Sequence, residues 1–288
     1  MTATVVDIRA ISGFMYPWDA MRVAFDQNSD HLCGAVGGPL VVGMLTPQRN
    51  AMTLAAKDTT SSLFGLYRKV FSQGLVQGWK GGSRPTMAAC PQFTAIGPVY
   101  LVVEKKTGSY LTALTMAAVA ETGFTYSAHR RNAIIQYNAT RTAAEQLTIP
   151  TQVAGPGFVC HILRNMTAMM GIRLFSPYSH DIVCRIPGSS LLGNEGTLVA
   201  SDFASSIVAA SISTPFNHVF SWAACTPELQ RLSLAGKAQA SVLFLFRNYK
   251  EQGVKLLGRD LMARINYTAF LFTLYRAFER RATSHAGD

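Results

Sequence analysis

Thr46-Pro47-Gln48-Arg49-Asn50-Ala51-Met52 closes the first long apolar run of the chain, Leu32 to Pro47, and the same kind of closure returns twice. Pro215 lies in Thr214-Pro215-Phe216-Asn217-His218-Val219-Phe220, at the end of a run from Phe203 to Phe220. Midway between the two prolines stands His129-Arg130-Arg131-Asn132-Ala133-Ile134, which follows the run Ser109 to Ala128 and echoes Arg49-Asn50-Ala51 as Arg131-Asn132-Ala133. A proline inside an apolar helix frees a carbonyl and kinks the rod. Kinked first and fifth helices therefore predict a tapering bundle, and the spacing predicts a break in the third run at 129–134.

Between these three runs lie three more: Pro85 to Val103, Val159 to Val183 and Met262 to Phe278. At about 1.5 Å per residue such runs approach the roughly 30 Å of a hydrocarbon core, so six spans are expected. They are rich in Gly, Ala, Ser and Thr, which let helices approach closely in a bilayer, and Gly34 and Gly38 form one GxxxG. Basic residues crowd after the odd runs: Arg49, Lys57, Arg68 and Lys69, then Arg130, Arg131 and Arg141, then Arg231, Lys237, Arg247, Lys250 and Lys255. The connections after the even runs are short, near 107–108 and 187–194. A long basic loop alternating with a short one, three times over, reads as a repeated two-helix unit with its long loops on one face.

Composition agrees. The 288 residues are 49% apolar and only 15% charged, with mean hydropathy +0.17. Soluble domains carry about 25% charge, and disorder requires more charge and less apolar content still. Lys plus Arg is 26 against 16 acids, a formal charge of +10. A basic, charge-poor, apolar chain points to a membrane and not to nucleic acid. Cys33, Cys90, Cys160, Cys184 and Cys225 are scattered without CxxC, as expected of thiols in a reducing or membrane setting. The first 28 residues hold Asp7, Asp19 and Asp26 and lack a continuous apolar segment, so they read as an extension, with a short amphipathic helix near Trp18 to Phe25.

Further motifs extend the repeat. Gly78-Trp79-Lys80-Gly81 precedes Pro85 and Pro91; Leu163-Arg164-Asn165-Met166-Thr167 lies in the fourth run; Glu251-Gln252-Gly253-Val254-Lys255 precedes Ala263-Arg264-Ile265-Asn266-Tyr267. With the odd-run closures, these make the chain resemble the mitochondrial carrier family over roughly Leu32 to Arg281. The resemblance implies an all-α, six-helix, three-fold pseudo-symmetric barrel of the mitochondrial inner membrane, with both termini toward the intermembrane space. It divides the chain into an extension (1–28) and repeats at 29–107, 108–187 and 188–288.

In that family P-x-[DE]-x-x-[KR] at the matrix ends of odd helices supplies ion pairs that close one side of a central cavity and break when it opens. Here the set is degenerate. Repeat one has Pro47 with Arg49 and Met52 where an acid and a base belong; repeat two has Ser127, His129 and Asn132, depending on a one- or two-residue choice of alignment; repeat three has Pro215, Asn217 and Phe220. No acid stands at any of the three positions. The opposite set is altered as well: Tyr275-Arg276-Ala277-Phe278-Glu279 reverses the order of charges, Tyr100 to Glu104 keeps one, and Tyr178-Ser179-His180-Asp181 fits loosely. Replacing buried ion pairs by apolar groups can stabilise a structure while removing its capacity to switch.

By the same resemblance Arg164, Asn165 and Arg264 occupy substrate-facing positions, whereas the second helix offers only Met87 and Ala88. A guanidinium at membrane depth is costly unless paired or solvated; the alternative to substrate contact is pairing with a helix-terminal carbonyl or with an acid such as Glu121 or Asp181. Trp79-Lys80-Gly81-Gly82 matches the family's cardiolipin-binding turn, where backbone N–H groups at a helix start suit a phosphate. Gly155-Pro156-Gly157-Phe158 and Leu257-Gly258-Arg259 match it less well. The six histidines show no metal-ligand spacing, and neither a phosphate-binding glycine loop nor a nucleophile elbow occurs. No catalytic residue, metal or cofactor is expected beyond structural cardiolipin. The sequence thus leads to a non-enzymatic accessory subunit of a respiratory-chain or ATP synthase complex, with the other subunits and lipid as partners; the alternative is an active carrier of a small anionic metabolite.

Overall fold

A computed structural model describes residues 29–150 and 154–284; the extension 1–28, with its expected amphipathic helix, lies outside the described residues. Every regular element among the described residues is helical. In chain order these are α1 (Ser29–Met44), α2 (Thr46–Ala55), α3 (Leu63–Val70), α4 (Ser83–Thr107), α5 (Tyr110–Asn138), α6 (Phe158–Met170), α7 (Ser176–Cys184), α8 (Gly193–Ala224) and α9 (Leu234–Ser284). Short 3₁₀ turns fill several connections, among them Leu75–Trp79.

Local chemistry explains the breaks. Pro47 sits in the first turn of α2 and has no N–H, so the chain bends at Leu45 and the Gly43 carbonyl loses its helical donor. The indole Nε1 of Trp79 donates to that carbonyl at 2.9 Å, which ties the kink to the turn before α4. Ser62 and Ser109 cap α3 and α5 by accepting from the backbone N–H groups of Gly65 and Thr112. Between α6 and α7 the run Val159 to Val183 passes through a π-helical turn, Gly171–Phe175, just before Pro177. Gly253, at φ 75°, divides α9 into an amphipathic first part and a second part that holds the sixth apolar run.

The expected break at 129–134 is absent. α5 continues unbroken to Asn138, because that stretch has no proline to remove a donor from the ladder. Pro215 likewise lies within a continuous α8, so of the odd runs only the first is interrupted.

Packing follows a cyclic order. α1 lies against α4, α4 against α5, α5 against α6, α6 and α7 against α8, α8 against α9, and α9 returns to α1 and α2. Small residues set the closest approaches. A Cβ added at Gly34 would lie 2.7 Å from the Phe93 carbonyl oxygen, one at Gly38 would lie 2.5 Å from the Phe93 ring, and one at Gly37 would lie 2.6 Å from the Phe278 ring. The GxxxG spacing is therefore the face on which α1 meets α4, where extra methylenes could not be accommodated.

Among the described residues two helices, Ser83–Thr107 and Gly193–Ala224, are long and apolar enough to cross a membrane. The other four runs fall short for identifiable reasons: α1 has only the short apolar stretch Gly34–Met44, α5 carries Glu121, Arg130 and Arg131, the π turn divides α6 from α7, and α9 is rich in charge. The radial distribution of side chains is nevertheless the same around the ring. Val36, Leu40 and Met44 form an exposed stripe on α1, Leu101 and Val102 one on α4, Leu111 and Phe124 one on α5. Val208 and Ile212 continue it on α8, and Phe270, Leu274 and Phe278 on α9. Buried inside are Arg49, Asn50, Glu121, Asn132, His161, Arg164, Asn165, Asn217 and Arg264. Exposed apolar stripes around a core that also buries several charged side chains depart from the pattern of a water-soluble bundle.

Candidate functional site

At the level of the first kink, α2, α5 and α8 approach one another inside the ring. Arg49 and Met52 from α2, His129 and Asn132 from α5, and Asn217 and Phe220 from α8 all line one cavity of about 40 Å³. Each pair is three residues apart, so both members face inward from the same side of their helix. The structure thus brings together six of the residues that the resemblance assigns to gates. Arg49 and His129 share the lining while Arg131 does not. Ser127 itself is exposed and takes no part in the cavity, whereas Pro47 is buried behind it.

The layer is held by neutral and one-sided contacts. Arg164 enters from α6, with its Nη1 donating to Asn217 Oδ1 at 3.3 Å and its Nη2 to Asn165 Oδ1 at 3.0 Å. His129 and His161 each place a ring nitrogen within 3.2 Å of the same Nη2. The guanidinium also lies over the Phe220 ring at 5.3 Å, and His161 stacks on Phe220 at 4.7 Å. Asn165 is fixed in turn by its bond to Thr122 Oγ1, 3.2 Å. Arg264 enters from α9, with its Nε donating to Ser213 Oγ at 3.0 Å and its Nη1 lying 3.6 Å from Met52 Sδ. Arg49 donates to Thr46 Oγ1 at 3.3 Å and also interacts with the Tyr267 hydroxyl.

Glu121 is the single carboxylate of the lining, and its partner is Gln92 Nε2 at 2.7 Å. Neither acid weighed for Arg164 is used: Glu121 bonds Gln92, and Asp181 is exposed on α7. Three guanidiniums therefore face one carboxylate, and among the described residues no ion pair joins charges across the layer. On α4, Met87 is 73% exposed and points outward, so Gln92 is that helix's contribution to the cavity.

The turn at Trp79 is a joint between repeats. Asn50 Nδ2 donates to the carbonyls of Gly78 and Lys80, at 2.8 and 3.1 Å. Gln136 Nε2 on α5 donates to the same Lys80 carbonyl at 2.8 Å. Asn132 Nδ2 reaches Asn50 Oδ1 at 3.1 Å, and a Cβ on Gly81 would meet Asn132 Oδ1 at 2.7 Å. Gly82 fits against Thr46. The Lys80 side chain and about half of the Trp79 surface remain exposed beside the first turn of α4.

Sequence reasoning set aside the histidines for want of metal spacing, and so missed His161. Its signal was its place three residues before Arg164, on the same helical face. Asn50, Thr122 and Gln92 gave no signal beyond being polar inside apolar runs. Among the described residues no group of three His, Cys, Asp or Glu side chains could hold a metal ion. Comparison with protein-family models and with curated proteins found no match to this chain.

Proposed function

We propose that the chain is a carrier-like barrel of the mitochondrial inner membrane that no longer alternates, and that it serves as a membrane-embedded accessory subunit of a respiratory-chain or ATP synthase complex. One observation carries this reading: the six gate positions converge on one layer, and that layer contains no ion pair among the described residues. Alternating access needs two gates of comparable strength, made and unmade in turn. An inward layer of Asn–Asn and Arg–Asn bonds with stacked rings, its one carboxylate bonded to Gln92, has no formed ion pair to exchange for a second set. The exposed apolar stripes on every side of the ring support six spans in lipid, and both termini would then face the intermembrane space. The start of α4, which no side chain caps, with Lys80 and Trp79 beside it, supports a bound cardiolipin phosphate at that joint.

Extraction in mild detergent tests the proposal. The chain is expected to migrate on a native gel with a complex many times its own mass, at fixed stoichiometry; migration as a free monomer would oppose it. A second reading, exchange of a small anionic metabolite, is favoured by the excess of buried guanidinium over carboxylate in the layer. It predicts anion exchange in liposomes that is abolished by Arg264→Ala.

A further inference from the structure

Beyond the central layer, on the side of the long basic connections, lies a second and larger cavity of about 290 Å³. Thr53 lines both, so the two are neighbours along the axis of the ring. The second cavity is built where the inner ends of α2, α5 and α8 stop, and it is lined by Lys57, Lys69, Asp58, Tyr137, Arg141 and Cys225 among others.

Its charges do not cancel. Lys69 Nζ is 2.6 Å from Asp58 Oδ2, and this pair is neutral as a unit. Lys57 and Arg141 remain. Both sit over the Tyr137 ring, at 5.5 and 5.1 Å from its centroid, so one aromatic ring carries a cation from repeat one and another from repeat two. Lys57 Nζ also donates to Thr226 Oγ1 at 3.1 Å, beside Cys225 in repeat three. No carboxylate pairs with either cation among the described residues; Glu228 acts on Lys57 through space but is not in the lining. Burial holds the Lys57 ammonium below its ordinary range, with Glu228 and Cys225 opposing and Arg141 reinforcing that effect.

We propose that this cavity binds a small phosphate-bearing anion between Lys57 and Arg141. Two uncompensated cations at one cavity call for a dianion, and a phosphate group carries about −1.5 to −2 at neutral pH. Lysine meets it as a point charge, and arginine can offer it two parallel N–H donors. The volume lies at the small end for ligand sites, which limits the anion to phosphate or a compact phosphate ester. Bound there, it would bridge the inner ends of repeats one and two next to repeat three, adding a fastening beneath the central layer. The site does not depend on the function proposed above.

Calorimetric titration of the full-length, detergent-purified protein with sodium phosphate, against sodium chloride at matched ionic strength, tests the site. Saturable phosphate binding is expected, weakened at least about tenfold in the Lys57→Gln/Arg141→Gln double variant. The charge-retaining Lys57→Arg/Arg141→Lys variant should keep most of it, which separates lost binding from lost folding. Arg264→Gln, in the neighbouring cavity, should leave it unchanged. Absence of saturable binding, equal binding by the double variant, or loss through Arg264→Gln alone would overturn the proposal. A response to phosphatidylglycerol micelles without one to free phosphate would overturn it too, by assigning the cations to a lipid headgroup.

Discussion

Two buried polar regions of this molecule use charge in opposite ways. In the central layer Arg49, Arg164 and Arg264 face Glu121, yet no ion pair crosses from one helix to another among the described residues. Where α9 passes the loop after α2, one buried ion pair joins neighbours on α9, and a histidine of α8 hydrogen-bonds the same carboxylate. Arg259 Nη2 lies 2.7 Å from Asp260 Oδ1, and His218 Nδ1 of α8 lies 3.2 Å from Asp260 Oδ2. Arg259 also donates to the carbonyls of Ala55, Ser61 and Asp58, across to repeat one. Asn248 Nδ2 meets His218 Nε2 at 2.7 Å, so the first part of α9 is tied in as well. The frame keeps one buried ion pair and uses its arginine to tie α9 to the loop after α2, whereas the central layer holds three guanidiniums and a carboxylate that form none. That contrast is what the proposed fixed barrel would show.

The largest expected effect comes from the frame. Arg259→Ala leaves the Asp260 carboxylate buried with reduced partners and strips donors from three carbonyls. A loss of about 3–5 kcal/mol is expected, read as a steep fall in melting temperature in detergent. A change under 1 kcal/mol would make the pairing ornamental and erase the contrast between the regions. In the central layer, Asn217→Asp places a carboxylate on the Arg164 guanidinium. We expect an unchanged or higher melting temperature, and no solute exchange in liposomes, because one restored acid does not rebuild two gates. Exchange gained by this single variant would show that the layer is one charge short of working.

A smaller effect is expected at the kink. Trp79→Phe keeps the ring and removes the N–H from the Gly43 carbonyl, which should cost about 1 kcal/mol by thermal denaturation. No change would mean that water replaces the indole there. The smallest concerns pH. Burial pushes the Asp58 carboxyl up, but hydrogen bonds from Lys69, Ser61 and Thr60 outweigh it and hold it well below the usual carboxylate range. Its contribution is therefore present at neutral pH and lost only as pH falls through that depressed value. The site is partly exposed and its Lys69 pair is solvated, so Asp58→Asn should lower the melting temperature slightly at pH 7 and not at strongly acid pH. An equal effect at both would refute the depressed titration.

How much of this could be read in the residues follows from what kind of signal each feature leaves. Pro47 announces its kink because a missing N–H is a local property. The three-residue spacing of Arg49 and Met52, His129 and Asn132, and Asn217 and Phe220 was legible because helical geometry puts each pair on one face. Arg164 and Arg264 stood out as guanidiniums inside apolar runs. The break expected near Asn132 failed because the Arg-Asn-Ala echo resembles the first closure in letters but lacks the proline. Long-range partners left no trace: nothing near Trp79 names Gly43, and nothing near Arg259 names Ala55 or Ser61. The partner of Glu121 was misread because Arg164 offered charge, whereas Gln92 offered proximity.

The most direct test of a fixed barrel is its accessibility from each side of the bilayer. Thr268 lines the central cavity and is buried, so Thr268→Cys in proteoliposomes can be challenged with a membrane-impermeant thiol reagent from either face. The account predicts labelling, over the parent protein, from one face at most, unaltered by any added anion. Labelling from both faces, shifting from one to the other as solute is supplied, would contradict it.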